Sequence, residues 1–424
     1  RVVEASLDEI ALLLHGREHC YGTWHRTSPG RVRWKVPAIE HNPDSSPSVA
    51  KVTKTADFLV IGGGIAGAAA AYELAADGRV VLLEREPVAG YHTTGRSAAL
   101  YTEAWEKGVW RTLTVASRAF LEHPPPGFTD YPLLSHLPLL IIGRDDQRRL
   151  VEELAADAGR NVELALLDDE AARNLCPVLR PGYASLSILE PASRAIDVDA
   201  LHQGFLRGSR RRGATIELGS EVERLEGTSA GWRVSSRQHV YDTRIVVNAA
   251  GAWCDVVARM GGVGPIGLVP KRRTAFTFAA PEGVDLGEMP MVVDVSEQFY
   301  FKPEVGQFMG SLAEATPMEP HDVRPEEIDV ALAIERIEAA TTLQIRHVRR
   351  SWAGLRSFVS DELPVVGEDP AAAGFYWLAG QGGAGIMTAS AMARLVAGLI
   401  IKGAVPQDLA DLGLSKGQLA PSRL

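Results

Sequence analysis

The sequence predicts an α/β fold organised around a βαβ unit, and three observations predict it. A short apolar run, Phe58-Leu59-Val60-Ile61, ends in Gly62-Gly63-Gly64; a small-residue helix follows from Ile65 to Ala76, then a second apolar run from Arg79 to Glu84. Far along the chain Gly374 to Ala379 reads as another buried strand, and it too meets a glycine cluster, Gly380 to Gly385, before an apolar helix from Ala389 to Ile401. Between these points the segment types alternate. Residues 163–167, 215–218, 232–235 and 244–247 read as strands, and 199–212 and 325–340 as helices. Short apolar runs bounded by turn residues suit buried strands, and apolar spacing near 3.6 suits helices.

Residues 1–55 have another character. Eight Lys/Arg and six Asp/Glu precede residue 55, Ser6 to Leu14 suits a short amphipathic helix, and Pro29 to Pro47 carries four prolines without a regular period. That stretch is expected to be loop or linker. All seven methionines lie at or after Met260, and Val49 stands just ahead of the first strand. A valine start codon there would leave Arg1 to Ser48 outside the native protein, and this extension is expected to carry no chemistry.

The chain of 424 residues is 46% hydrophobic and 23% charged, long enough for two domains or one large unit with an inserted partner. Its net charge of -9 and lack of a basic run argue against nucleic acid. Cys20, Cys176 and Cys254 form no CxxC pair, which suits a reducing compartment, and no apolar stretch approaches a bilayer span. A cytoplasmic protein, at most peripheral to a membrane, is the expectation. His92 and His202 have no second ligand at metal spacing and read as core or helix-surface residues, so no metal is expected.

Gly62, Gly64 and Gly67 match GxGxxG in its proper setting, after a strand and opening a helix. The first glycine permits the tight turn, the second lets the backbone approach a pyrophosphate, and the third lets helix and strand pack closely. Glu84 ends the second strand 22 residues after Gly62, where an acid accepts hydrogen bonds from ribose hydroxyls. A dinucleotide is therefore expected. The second glycine turn and the strand-to-turn segment Val246-Val247-Asn248-Ala249-Ala250-Gly251-Ala252-Trp253 favour a long buried flavin, FAD, over a released nicotinamide. Ala250 and Gly251 are placed at the cofactor on that ground.

At this point the residues resemble the D-amino-acid oxidase superfamily of flavoproteins, and among them the bacterial D-arginine and broad D-amino acid dehydrogenases. The stretches that carry the resemblance are VIGGGIAGAA, LLEREPVAGYHTTGRSAALYT, DVDALHQGFLRG, VVNAAGAWCD, PKRRTAF, WAGLR with SFVSD, and AGQGGAGIMT, spanning about Ala56 to Leu424. The resemblance implies a Rossmann-like FAD-binding domain from residues 56–104, 191–267 and 351–424. An interleaved antiparallel-sheet substrate domain would come from residues 105–190 and 268–350. It implies that Ala66, Glu84, Arg85, the loop Thr93, Thr94, Gly95, Arg96, Ser97, Ala98, Ala99 and Leu100, then Val222, and the turn Gly382, Gly383, Ala384, Gly385, Ile386 and Met387 line the FAD.

For catalysis the resemblance implies Arg273 and Arg356 as carboxylate anchors, Tyr300 reaching the same carboxylate, and the carbonyl of Gly383 receiving the amino group. A planar fork of N–H donors is the physical match to a carboxylate. In arginine-preferring relatives an acid stands at Leu139, a histidine at Leu100 and a tyrosine at Trp105. With those groups absent, a guanidinium in the pocket would have no buried partner. Glu103 and Glu106 are the nearby acids and read as solvated on a polar loop. The expected activity is FAD-dependent oxidative deamination of a D-amino acid with an apolar side chain, giving a 2-oxo acid and ammonia with oxygen or a quinone as acceptor. Oxidation of N-substituted amino acids or amines is the alternative, and so is a flavin subunit of a larger dehydrogenase.

Overall fold

The strand Thr53–Ile61 becomes the centre of a parallel sheet because its last four residues, from Phe58 on, are buried on both faces. Strands covered on two sides read as continuous apolar runs rather than as alternation. In this computed structural model residues 3–6, 23–28, 31–35, 53–105, 107–158 and 162–424 are described, and the chain forms two compact units, Arg1–Lys51 and Val52–Leu424. In the first unit Val3–Ser6, Arg31–Lys35 and Thr23–Ser28 make an antiparallel three-stranded sheet with Arg31–Lys35 in the middle. Over Arg31–Lys35 this corrects the loop expected from Pro29 to Pro47; residues 29–30 and 36–47 lie outside the described residues. Arg31-Val32-Arg33-Trp34-Lys35 alternates with a period of two, which the flanking prolines obscured. The helix expected over Ser6 to Leu14 falls, from residue 7 on, outside the described residues.

In the second unit the parallel order is Thr215–Glu217, Val80–Leu83, Thr53–Ile61, Val240–Asn248 and Ala372–Ala379. Val365–Asp369 adds an antiparallel edge. The first half of Val240–Asn248 stays paired with Thr53–Ile61 and on its other side pairs with Gly231–Ser236, which pairs in turn with Val222–Thr228. Alternate residues then choose sides. Phe58, Val60 and Leu82 pack with the helices Ile65–Leu74 and Ala389–Lys402, while Leu59, Ile61 and Val81 pack with Val222, Leu225, Trp232 and the helix Cys254–Met260. Ala389–Lys402 is not the last helix, since Gln407–Asp411 and Lys416–Leu419 follow it.

A second, nine-stranded sheet runs Thr316–Pro317, Val269–Ala279, Gln307–Ser311, Tyr300–Glu304, Met291–Asp294, Leu139–Gly143, Leu186–Glu190, Ala165–Leu167. Val348–Phe358 pairs along Val269–Ala279, so the boundary expected at residue 350/351 falls inside a strand. Neighbours are antiparallel except Met291–Asp294 beside Leu139–Gly143. One face is sealed by Phe276, Phe278, Phe301 and Phe308 against the helix Glu327–Ala340. The opposite face carries the polar residues that matter below. The pairing Arg273↔Gly354 with Lys271↔Arg356 makes Arg273 and Arg356 diagonal neighbours on that face.

Candidate active site

One cavity of about 340 Å³ runs from the glycine turn after Thr53–Ile61 to the polar face of the large sheet, a size within the usual range for a small-molecule or cofactor site. At its first end the backbone has no room for side chains. A Cβ on Gly62, whose φ is +106, would meet Ala249 O at 2.4 Å, and a Cβ on Gly67 would meet Gly62 O at 1.9 Å. Helix geometry leaves the first N–H groups of Ile65–Leu74 without intrahelical partners. Thr94 Oγ1 accepts from Ile65 N at 3.0 Å, and Glu84 Oε2 accepts from Gly63 N at 2.7 Å. The N–H groups of Gly64 and Ala66 remain at the cavity wall, where the helix dipole favours an anion.

His202 supports this turn from behind. Burial holds its imidazole below the ordinary histidine range, so it is neutral and its Nε2–H donates to Gly63 O at 2.9 Å. It is a core residue, as expected. His92 is not: it lines the cavity, with Nε2 2.9 Å from Glu86 Oε1 and its ring 4.7 Å from the Trp253 ring, which Arg85 covers from 4.4 Å.

Gly62, Gly64, Ala66, Glu84, Arg85, Thr93, Thr94, Arg96, Ser97, Ala98, Val222, Ala250, Gly251, Gly382, Gly383, Gly385 and Ile386 line this one cavity, and so do Arg273, Tyr300 and Arg356. Gly67, Gly95, Ala99, Leu100, Ala384 and Met387 do not line it. Leu100, Trp105 and Leu139 are not at the cavity surface either, but they pack in one apolar cluster with Tyr300 and Ala275, which are. Sequence reasoning missed Ser220 and Gln381. Both line the cavity, and among the described residues the Ser220 hydroxyl and the Gln381 side-chain nitrogen are buried without a hydrogen-bond partner. Buried polar atoms of this kind ordinarily have partners, so the cavity wall is built to be completed by a polar ligand.

At the second end the two arginines differ. Arg273 Nε donates to Glu314 O at 2.7 Å and its Nη2 lies 3.8 Å from Glu297 Oε2. Burial, reinforced by the positive charge of Arg356, lowers its pKa to about 10. Arg356 forms no ion pair and no side-chain hydrogen bond among the described residues. A Cβ on Gly383 would sit 3.0 Å from its Nη1, so a glycine there lets the guanidinium lie against the turn. Arg272, one residue away, points through the sheet instead and pairs with Glu326 and with Asp329, the latter at 2.8 Å.

Glu103 is a correction. It is buried rather than solvated, gripped by Arg118 and the Tyr101 hydroxyl. Burial and then Glu103 push the Tyr101 phenol well above its usual range, so it stays protonated and donates. The adjoining loop is tied to Glu190, whose carboxylate accepts from Thr102 Oγ1 at 2.5 Å and Glu103 N at 2.8 Å. Burial raises the Glu190 pKa against those hydrogen bonds. Glu106 lies outside the described residues. The chain thus pairs a phosphate-ready backbone turn with an anion-ready guanidinium across one cavity.

Comparison with known proteins accounts for that pairing. Residues 57–399 match the family model described as DAO, FAD dependent oxidoreductase, and the chain belongs to that family. FAD is accordingly its cofactor, and the glycine cradle and unsatisfied cavity atoms fit it. The chain is 27% identical to "FAD-dependent oxidoreductase domain-containing protein 1" of Bos taurus, over 82% of this chain and 81% of that one. It is 25% identical to "Dimethylglycine dehydrogenase, mitochondrial" of Rattus norvegicus, over 91% of this chain but 47% of that protein. The solved L-proline dehydrogenase from P. horikoshii superposes with a TM-score of 0.76 at 21% identity, over 88% of this chain and 98% of that one. Among the described residues no helix is long and apolar enough to cross a membrane.

Proposed function

We propose that this member of the family oxidises the carbon–nitrogen bond of a small amino acid whose nitrogen carries an alkyl group, in the manner of sarcosine, dimethylglycine or proline. The observation that carries the reading is the Arg356 guanidinium, unpaired among the described residues, beside Arg273 in a cavity with an apolar flank. Two half-buried cations side by side without a carboxylate between them are costly unless the substrate supplies one. The relatives named for dimethylglycine and L-proline support an N-substituted nitrogen.

Bound FAD supplies a two-electron acceptor for the hydride leaving the carbon next to nitrogen. This chain's residues do the remaining work. The Arg356 fork takes the substrate carboxylate in bidentate fashion and Arg273 adds a second cation behind it. The Tyr300 hydroxyl donates to the same carboxylate. The Gly383 carbonyl accepts a hydrogen bond from the N–H of a secondary amine such as sarcosine or proline, which fixes the face presented to the cofactor. Ala275 and Tyr300 supply the apolar flank that receives the N-alkyl group, and Leu100, Trp105 and Leu139 pack behind it and keep it dry. In this reading residues 56–104, 191–267 and most of 351–424 grip the cofactor, and residues 105–190 and 268–350, with Val348–Phe358, present the substrate.

A second reading is favoured by Leu139, which is 1% exposed where arginine-preferring relatives have an acid. The same flank suits a D-amino acid with an apolar side chain. Anaerobic bleaching of the flavin absorbance decides between them. Sarcosine, N,N-dimethylglycine and L-proline are expected to bleach it faster than D-Leu, D-Phe or D-Met, with D-Arg and D-Lys slowest. A clear D-Leu preference would replace the first reading with the second, and a D-Arg preference would exclude both. Oxygen consumption measured beside dye reduction during turnover assigns the acceptor.

A further inference from the structure

Glu297 stands at the tip of the hairpin that joins Met291–Asp294 to Tyr300–Glu304, with a φ of +53. That left-handed conformation favours glycine, yet the position carries a charged side chain. The turn is built rather than loose. Asp294 is fully buried, and its Oδ1 accepts from Ser296 N at 2.9 Å and Gln298 N at 3.3 Å. Gln147 Nε2 reaches Asp294 Oδ2 at 3.2 Å, and Glu297 N donates to Asp294 O at 2.9 Å. The strained tip sends Glu297 Oε2 to within 3.8 Å of Arg273 Nη2, and the Glu297 side chain is 53% exposed while that of Arg273 is 11% exposed. Glu297 therefore meets Arg273 from the solvent side, whereas Arg356 has no such companion among the described residues.

We propose that Glu297 is a specificity-determining residue, an internal carboxylate that covers Arg273 and restricts the site to substrates with a single carboxylate. The proposal rests on the reading of Arg356 and Arg273 as the carboxylate-binding pair. A monocarboxylate is gripped by Arg356, with Arg273 adding its charge from behind while it keeps its pairing with Glu297. A second carboxylate, on the side chain or the N-substituent, would need Arg273 for its counter-charge and would meet Glu297 instead. Like charges brought together at a binding site are a common device for rejecting a wrong partner. Because Glu297 is half exposed, the repulsion is screened by salt.

The test is the ratio of succinate to propionate affinity on the FAD-loaded protein, read from the perturbation of the flavin absorbance, which requires no turnover. Glu297→Gln is expected to raise that ratio about tenfold at low ionic strength, with less change in 0.5 M salt. Glu297→Gly removes both the charge and the left-handed strain. It is expected to raise the ratio equally and to increase Tm. An unchanged ratio in both variants overturns the proposal. If Arg356→Ala leaves propionate affinity intact, the carboxylate-site reading has failed, whichever way Glu297 behaves. If iminodiacetate bleaches the flavin of wild-type protein as readily as sarcosine does, Glu297 is not a selector.

Discussion

The two ends of the cavity are made in opposite ways. At the glycine end the backbone itself is the binding surface, and the close approach of Gly67 to Gly62 O leaves no space for even a methyl group. At the sheet end the backbone is a plain antiparallel ladder and the binding surface is a set of side chains, Arg273, Tyr300 and Arg356, standing on it. A backbone site fails wholly when a Cβ is added. A side-chain site can be retuned one residue at a time. The difference teaches that the cofactor end resists substitution while the substrate end is where such a fold changes its chemistry.

The sharpest way to break this contrast is Gly67→Ala. It is expected to yield protein without flavin absorbance at 450 nm, and a variant purified with full flavin content would show that the turn is not the cofactor cradle. Next in size, Arg356→Ala should retain its flavin and lose about 10³-fold in kcat/KM, the scale for truncating one partner of a buried charge pair. Arg356→Lys should recover only part, because an ammonium cannot reproduce the planar fork.

A pH effect comes third. Arg273 is a base whose pKa falls to about 10 in the folded protein, so it is charged below that value and neutral above it. A bound carboxylate favours the charged form and raises the value again. Propionate affinity should therefore be flat below pH 10 and fall by up to about tenfold per unit above it. No alkaline loss would mean that Arg273 does not share in holding the anion. The smallest effect concerns Ser220. Ser220→Ala should weaken FAD binding by about 1 kcal/mol, a few-fold in Kd by flavin fluorescence, while propionate affinity holds.

Legibility in the sequence follows the same division. The glycine end was readable because its requirements fall on residue types at short spacing: Gly62, Gly64, Gly67 and Glu84 lie within one βαβ unit. The supports of that turn were not, since Thr94, His202 and Ser220 reach it from remote segments and each is an ordinary polar residue in its own neighbourhood. At the sheet end Lys271-Arg272-Arg273 looks like a solvated charge run. Only the pleat separates Arg272, buried against Glu326 and Asp329, from Arg273 in the cavity. The arginines were identified through family resemblance, not through any pattern in the chain. Glu103 misled for a related reason: its partner Arg118 is on the next helix, Gly108–Glu122, and the pairing draws an acid from an apparently polar loop into the interior.

The parallel sheet carries a consequence for biosynthesis. Thr53–Ile61 is the first strand of its unit to be made, and Val80–Leu83 joins one side of it almost at once. Its other neighbour, Val240–Asn248, emerges only after roughly 190 more residues, which at about 5–20 residues per second is about 10–40 s of translation. Throughout that interval an apolar strand offers an open hydrogen-bonding edge inside the cell. The ribosome must also reach Ile386 before the cavity has its last wall, so for most of its synthesis the nascent chain cannot shelter behind its own cofactor.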